Sequence, residues 1–157
     1  MSRARRHVSV GFTGTREGMT AEQRGTFRAI LNSPSRPLIM SAFSHGACVG
    51  ADSDAVEIVH ECCKDAVIVA FPGHMPRMTC QRSLSLSRII HKPHDTLDRN
   101  RDIVDSSMIL VACPKGPEQD RSGTWFTVRY ARTLADVRIV VIWPDGKFEV
   151  TQAGKLK

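Results

Sequence analysis

Three stretches of the chain gather small residues, hydroxyls and cations where an apolar run gives way to a polar one. Gly14-Thr15-Arg16 follows the run Val8–Phe12. Ser44-His45-Gly46-Ala47-Cys48-Val49-Gly50-Ala51-Asp52 follows Leu38–Phe43. Ser122-Gly123-Thr124 opens a helical pattern beyond Met108–Cys113. These residue types suit an anion. First-turn amides of a helix have no partners inside it, and the helix dipole favours negative charge there. Gly14-Thr15-Arg16 reads either as backbone and hydroxyl contacts to a phosphate that Arg16 neutralises, or as a turn with a surface arginine. The His45–Asp52 loop lacks the lysine and spacing of a P-loop and is not GxGxxG. Its small residues allow a ligand close to the backbone. Asp52 can accept from a ribose hydroxyl or act as an N-terminal helix acid, a role open to Asp54 as well.

Arg99-Asn100-Arg101 presents two cations around an amide; the alternative is an exposed helix turn paired with Asp98, Asp102 and Asp105. His45-x-x-Cys48 and His91-x-x-His94 resemble metal pairs, but no second pair at finger spacing completes either, so neither a metal nor a cofactor is expected. Cys48 has no partner base identifiable from spacing. Asp52 is the best carboxylate for acid–base work, with His45 and His74 behind it. Trp125, Phe126, Trp143 and Phe71 can stack on a base or pack in a core, and packing is the expectation for Phe126.

These residues need elements to hold them. Val8, Val10 and Phe12 alternate with His7, Ser9 and Gly11 as a strand does. Thr20 and Gln23 form a capping box for a helix with Phe27, Ile30 and Leu31 on its apolar side, stopped at Asn32-Ser33-Pro34-Ser35. Leu38–Phe43, Ala66–Phe71, Met108–Cys113 and Arg138–Trp143 read as strands, and Lys147–Val150 as an edge strand after the Pro144-Asp145-Gly146 turn. Ala51–Cys63 is a helix by its Ala51, Ala55, Val59, Cys62 face. Thr96 is read as the cap of another helix through Asp105, and the helix opened by Ser122 carries Val128, Ala131 and Ala135 on one face. An insertion or mobile flap is expected over Arg77–Arg88, then a short strand at Arg88–His91. Apolar strands alternating with helices predict an α/β fold, a Rossmann-like three-layer sandwich with a mainly parallel central sheet. Ligands in such sheets bind beyond the carboxyl ends of the strands. That rule gathers Gly14-Thr15-Arg16, Ser44–Asp52, Pro72-Gly73-His74 and Pro114–Thr124 on one rim.

The chain has 157 residues and a net charge of +6, with 41% hydrophobic and 24% charged residues. That suits one domain over residues 7–150, with a disordered basic tail at 1–6 and a C-terminal tail at 151–157. No apolar run approaches a membrane span, and Val8–Phe12 is too short for a signal-peptide core. A cytoplasmic protein with reduced thiols is expected from its five cysteines. The positive charge implies an anionic partner.

Four stretches together resemble the SLOG superfamily of Rossmann-like nucleotide-binding domains, which includes DprA and the LOG phosphoribohydrolases. Gly14-Thr15-Arg16 resembles the opening glycine–arginine turn, and Ser44–Asp52 the S-G-x-A-x-G-x-D element. Arg99-Asn100-Arg101-Asp102-Ile103-Val104 resembles R-N-R-I-I-A, and Ser122-Gly123-Thr124-Trp125-Phe126-Thr127 the S-G-[ST]-x-x-T helix start. The resemblance implies a nucleotide or phosphate pocket bounded by Gly14, Thr15, Arg16, His45, Gly46, Gly50, Asp52, Arg99, Asn100, Arg101, Ser122, Gly123 and Thr124, to which the strand-end rule adds Pro72 and Gly73. It also implies a homo-oligomer. The catalytic glutamate of the LOG enzymes falls on Thr127, so that carboxylate is not carried over. The reading is a binder of a nucleotide or nucleotide-derived, signalling-type ligand. The alternatives are a hydrolase of an N-glycosidic or phosphoester bond using Asp52, and a single-stranded nucleic-acid binder using Arg77, Arg82, Arg88, Lys92, Arg99 and Arg101 with the basic tail. No membrane partner is expected.

Overall fold

Seven strands form a single sheet in the order β4-β3-β2-β1-β5-β6-β7 in the computed structural model, which describes residues 6–33 and 38–152. The chain runs β1 (Arg6–Gly14), α1 (Ala21–Asn32), β2 (Leu38–His45), α2 (Ala51–Cys62) and β3 (Val67–Ala70). A 3-10 turn (Pro76–Met78), α3 (Gln81–Leu86), β4 (Ile89–Ile90) and α4 (Thr96–Asp105) follow. The last elements are β5 (Ile109–Cys113), α5 (Gly123–Arg132), β6 (Arg138–Ile142) and β7 (Phe148–Gln152). Every pairing is parallel except β6 with β7. This is the expected Rossmann-like α/β sandwich. No helix among the described residues is long and apolar enough to cross a membrane.

Both faces of the sheet are covered. On one, Phe12 and Phe43 of the sheet meet Phe27 of α1 with ring centroids 5.8–6.4 Å apart, and all three are fully buried. Each such ring contributes about 1.5–3 kcal/mol by leaving water. On the other, Leu110, Ala112, Ile139 and Val141 pack against Val104 of α4 and Trp125, Val128 and Ala131 of α5. The capping box at Thr20 and Gln23 forms as read. Gln23 is buried, and its Nε2 also donates to the carbonyls of Pro114 and Ile142, each at 2.9 Å. One side chain thus starts α1 and ties it to the ends of β5 and β6.

Several expectations need correction. Arg6 belongs to β1, and β7 runs through Thr151 and Gln152, so strand pairing reaches past both expected tail boundaries. Residues 1–5, 34–37 and 153–157, which carry the rest of the expected tails and part of the Asn32–Ser35 stop, lie outside the described residues. Asp95, not Thr96, is the N-cap position of α4. The last helix ends at Arg132, leaving Ala135 exposed beyond it. The expected flap at Arg77–Arg88 is a 3-10 turn and a short helix, tied down by hydrogen bonds. Val49 N–H donates to Met78 O (2.9 Å) and Cys80 N–H to Ala47 O (2.7 Å). Ser83 is buried, and Arg82 pairs with Glu57 at 2.8 Å. A six-residue helix is too short to show a periodic face, so its order comes from tertiary contacts.

The start of α2 presses against the turn after β1. Ala51 N–H donates to Thr15 O (2.9 Å), and Gly50 adopts φ +95° and ψ −130°, a conformation other residues rarely reach. A Cβ at Gly50 would run into the Arg16 backbone carbonyl. Gly50→Ala is therefore expected to cost about 1–3 kcal/mol or more, read as a lowered urea midpoint with an unchanged m-value.

Candidate functional site

The sheet order reverses between β1 and β5. The chain steps outward from β1 to β4, then returns through α4 to β5 on the other side. Their carboxyl ends are held level, with Gly14 registered to Cys113 and Thr15 N–H donating to Cys113 O at 3.1 Å. A reversal of this kind leaves a crevice, because the connections on its two sides diverge onto opposite faces. A cleft of about 690 Å³ opens there. Its walls are the β1 turn (Phe12–Glu17), Cys48 and Asp52, the α4 face Thr96, Leu97, Arg99, Asn100 and Ile103, and the loop and helix start from Lys115 to Phe126.

Of the residues singled out in the sequence, Gly14, Thr15, Arg16, Asp52, Arg99, Asn100, Ser122, Gly123 and Thr124 line this cleft. Gly46 and Gly73 border a small adjoining cavity of about 10 Å³, which shares Arg16, Cys48, Thr96 and Arg99 with it. His45, Gly50, Pro72 and Arg101 line neither. Gly50 and His45 shape the loop instead, and Pro72 is buried at the end of β3. Arg101 projects from α4 onto Phe126 and Tyr130, its guanidinium carbon 5.3 and 5.9 Å from their ring centroids, and pairs with Asp98 at 3.1 Å. Helix periodicity accounts for the separation of two arginines two residues apart, since neighbours at that spacing face different ways.

Arg99 is buried, 5% exposed. Its Nη1 donates to Gly46 O at 2.6 Å, and its Nε donates to the Asn100 side-chain oxygen at 2.9 Å. A Cβ at Gly46 would lie 2.6 Å from that guanidinium nitrogen, so only glycine lets the loop approach so closely. Asp52 lies beside it, accepting from Gly46 N–H (3.0 Å) and Cys48 N–H (3.4 Å). Burial raises the Asp52 carboxyl to about 6, while Arg99 and the two amides pull it the other way. The Cys48 thiol is pushed up to about 11, first by burial and then by Asp52, which leaves little thiolate for nucleophilic chemistry.

His45 has no exposed surface. Its Nδ1 accepts from Ala47 N–H (2.9 Å), which puts its proton on Nε2, 2.9 Å from Ser87 Oγ. Both nitrogens are thus engaged within the fold. The other histidine pair divides as well, His91 stacking on Phe71 at 4.3 Å and His94 pairing with Asp102 at 2.7 Å. No cluster of three metal-ligating side chains occurs among the described residues.

At the far wall, Ser122 caps α5 by accepting from Trp125 N–H at 3.2 Å. The Gly123 and Thr124 amides have no hydrogen-bond partner among the described residues, and neither do the Arg16 and Arg121 guanidinia. Among the described residues Lys115 pairs only with exposed Glu17, at 3.4 Å. The loop from Glu118 to Asp120 is clamped from α5: Arg129 donates to the Gln119 and Asp120 carbonyls, and Arg132 to Glu118 at 2.8 Å. Thr127 is fully buried, its hydroxyl donating to Gly123 O at 2.8 Å. The position of the LOG glutamate therefore holds a helix-backbone contact.

Two assignments change. Trp125, with 3% exposure, packs on Trp143 and only borders the cleft, while Phe126, for which packing was the expectation, is half-buried on the cleft wall. Arg121 was not singled out, although its place just before the Ser122 cap marks it as the cation nearest the helix start. The basic row proposed as a nucleic-acid track is dispersed: Arg99 is internal, Arg82 pairs with Glu57, and Arg101 is held over two rings.

Neither a protein-family model nor a curated protein sequence matches the chain. The fold does match solved structures. A molybdenum cofactor binding protein from the phototrophic bacterium Rippkaea orientalis is similar over 88% of this chain and 77% of its own, with a TM-score of 0.62 and 15% identity. A structural-genomics target named TM1055 is similar over 83% of this chain and 72% of its own, with a TM-score of 0.55 and 12% identity. At these identities the likeness is one of fold. The class is a Rossmann-like α/β domain with a cleft at its topological switch point.

His45 gives a pH test. Its folded-state value is lowered to about 3 by burial and then by Arg99, against an ordinary 6.5. The stabilising preference for neutral His45 is complete above pH 6.5 and is lost as pH falls toward 3. Asp52 runs the other way: its raised value gives a contribution present below about 3.8 and lost as pH rises through 6. In urea titrations from pH 7 to 4, the stability of wild type relative to His45→Gln is expected to fall by up to about 1.4 kcal/mol per pH unit.

Proposed function

We propose that this domain binds a nucleotide or nucleotide-derived ligand, with its phosphate at the α5 start and its charge met by Arg16 and Arg121. The observation that carries this reading is a set of donors in one cleft with no hydrogen-bond partner among the described residues: two arginines and two first-turn amides, at the point where sheets of this type take ligands. Buried Arg99 adds positive charge to the floor without leaving its own hydrogen bonds. The order of the four SLOG-like stretches supports the same reading, as does a fold neighbour described as binding a cofactor. Pairing with a second copy and a cytoplasmic setting for its five cysteines belong to this proposal.

A hydrolase is the second reading, favoured by one observation: a buried carboxyl at the cleft floor with a value near neutrality, Asp52. A nucleic-acid role has less support from the dispersed arginines.

Native mass spectrometry of the purified protein is the direct test, since it reads both a co-purifying nucleotide and the assembly mass. By calorimetry, Arg16→Gln is expected to weaken nucleotide binding about ten-fold or more, a charge-assisted hydrogen bond being worth roughly 1.5–3 kcal/mol. No binding of mono-, di- or cyclic nucleotides by the wild type would sink the reading. Turnover of any of them that disappears in a ligand-binding Asp52→Asn variant would establish the hydrolase.

A further inference from the structure

The cleft is not uniformly polar. Its cations and first-turn amides lie around Arg16, Arg121 and the α5 start, while Leu97 and Ile103 of α4 and Phe126 of α5 contribute an apolar wall. Leu97 on that wall is 47% exposed, and Phe126 is only half-buried. Leaving a leucine and an aromatic ring on a cleft wall costs stability that burying them would recover. Arg101 accounts for how the ring is held. It does not line the cleft, yet its guanidinium carbon stands 5.3 Å from the Phe126 centroid. It therefore touches the ring without being part of the cleft lining, and it also pairs with Asp98.

Phe126 follows Gly123 by three residues on α5, about 4.5 Å along the axis at about 1.5 Å per residue. An anion on the Gly123 and Thr124 amides and a ring on Phe126 are thus one helical turn apart. A compact ligand meets both, with a short spacer between its anionic and planar parts.

Resting on the nucleotide reading above, we infer that the planar ring of the ligand stacks at the Leu97–Phe126 wall rather than in the His45–Asp52 loop, with Phe126 as the specificity-determining residue and Arg101 as its positioning residue. The preferred class is a nucleoside monophosphate over a sugar phosphate of equal charge. His45, with no exposed surface and both ring nitrogens engaged, offers the ring nothing on the opposite side.

The test is calorimetry of wild type, Phe126→Ala, Phe126→Trp, Arg101→Gln and the Phe126→Ala/Arg101→Gln double variant, with AMP, GMP and ribose 5-phosphate as probes. Circular dichroism and urea midpoints check that each variant folds. Phe126→Ala is expected to weaken AMP and GMP roughly 5- to 100-fold, the worth of one base stacked on one aromatic ring, and ribose 5-phosphate less than about two-fold. Phe126→Trp is expected to retain or tighten nucleotide binding, so a folding failure of the alanine variant leaves the ring itself testable. Arg101→Gln alone is expected to cost a few-fold, and nothing further once Phe126 is gone, because the two act as one unit. Equal losses for nucleotide and sugar phosphate, or weaker nucleotide binding in folded Phe126→Trp and unchanged binding in Phe126→Ala, would overturn the inference while leaving the nucleotide reading intact. Wild-type protein that binds none of the three probes overturns both.

Discussion

The buried guanidinium of Arg99 is the constraint on which the site depends. It arises on α4, the element that carries the chain back across the sheet, and reaches the loop between β2 and α2 on the other side of the reversal. A charge taken out of water needs its donors occupied and its charge offset. The Gly46 carbonyl, the Asn100 amide oxygen and the neighbouring Asp52 supply this. Each of those groups is held in turn. Gly46 cannot carry a side chain against the guanidinium, Asp52 accepts from the loop amides, and the loop is braced from beyond by the segment around Met78 and Cys80. The floor of the cleft is thus set by contacts spanning more than fifty residues of sequence. Its shape is a property of the whole sheet and not of one motif.

The electrostatics of that floor follow from competition between burial and Arg99. For His45 the two act together, since desolvation and a nearby cation both disfavour imidazolium. The ring is neutral, and the hydrogen bonds fix its tautomer. For Asp52 they oppose each other, and desolvation prevails enough to bring the carboxyl close to neutrality. Protonating Asp52 would turn a charged acceptor of the Gly46 and Cys48 amides into a weaker neutral one while leaving Arg99 with less counter-charge. The geometry of the floor and its charge are consequently linked through one carboxyl.

Where an apolar run is long enough to fill a strand, sequence and structure agree. Leu110 to Cys113 and Ile139 to Ile142 are continuous because both faces of the sheet are covered. α1 is legible at its start because the Thr20–Gln23 box is a local interaction. The segment 76–86 was not legible: its order comes from hydrogen bonds to Ala47 and Val49, far away in sequence. The outward turn of Phe126 was within reach. Val128 and Ala131 define the inward face of α5, and Trp125 lies on that face by helical spacing, whereas Phe126 is turned about 100° from it. The three loops could be read from residue types at strand ends, whereas Arg99, inside α4, was singled out through the resemblance of its stretch to a family element. The direction of Arg101 and the burial of His45 could not, because nothing in local sequence says which side of α4 meets the loop or what lies behind β2.

Thr127 clarifies what the helix start can do by itself. Its hydroxyl returns to the carbonyl of Gly123 and its side chain is wholly enclosed, so the first turn of α5 offers amides and no acid or base from that position. Amides and a dipole favour an anion without needing to change protonation state, which makes them suited to holding a phosphate. Proton transfer must be supplied from elsewhere in the cleft, and the buried carboxyl near neutrality is already an acceptor for two loop amides. A proton taken up there in a reaction would weaken the contacts that shape the floor around the reacting group. Holding a ligand makes no such demand, because Arg16, Arg121 and the free amides can meet its charge while Asp52 and Arg99 keep the loop in place.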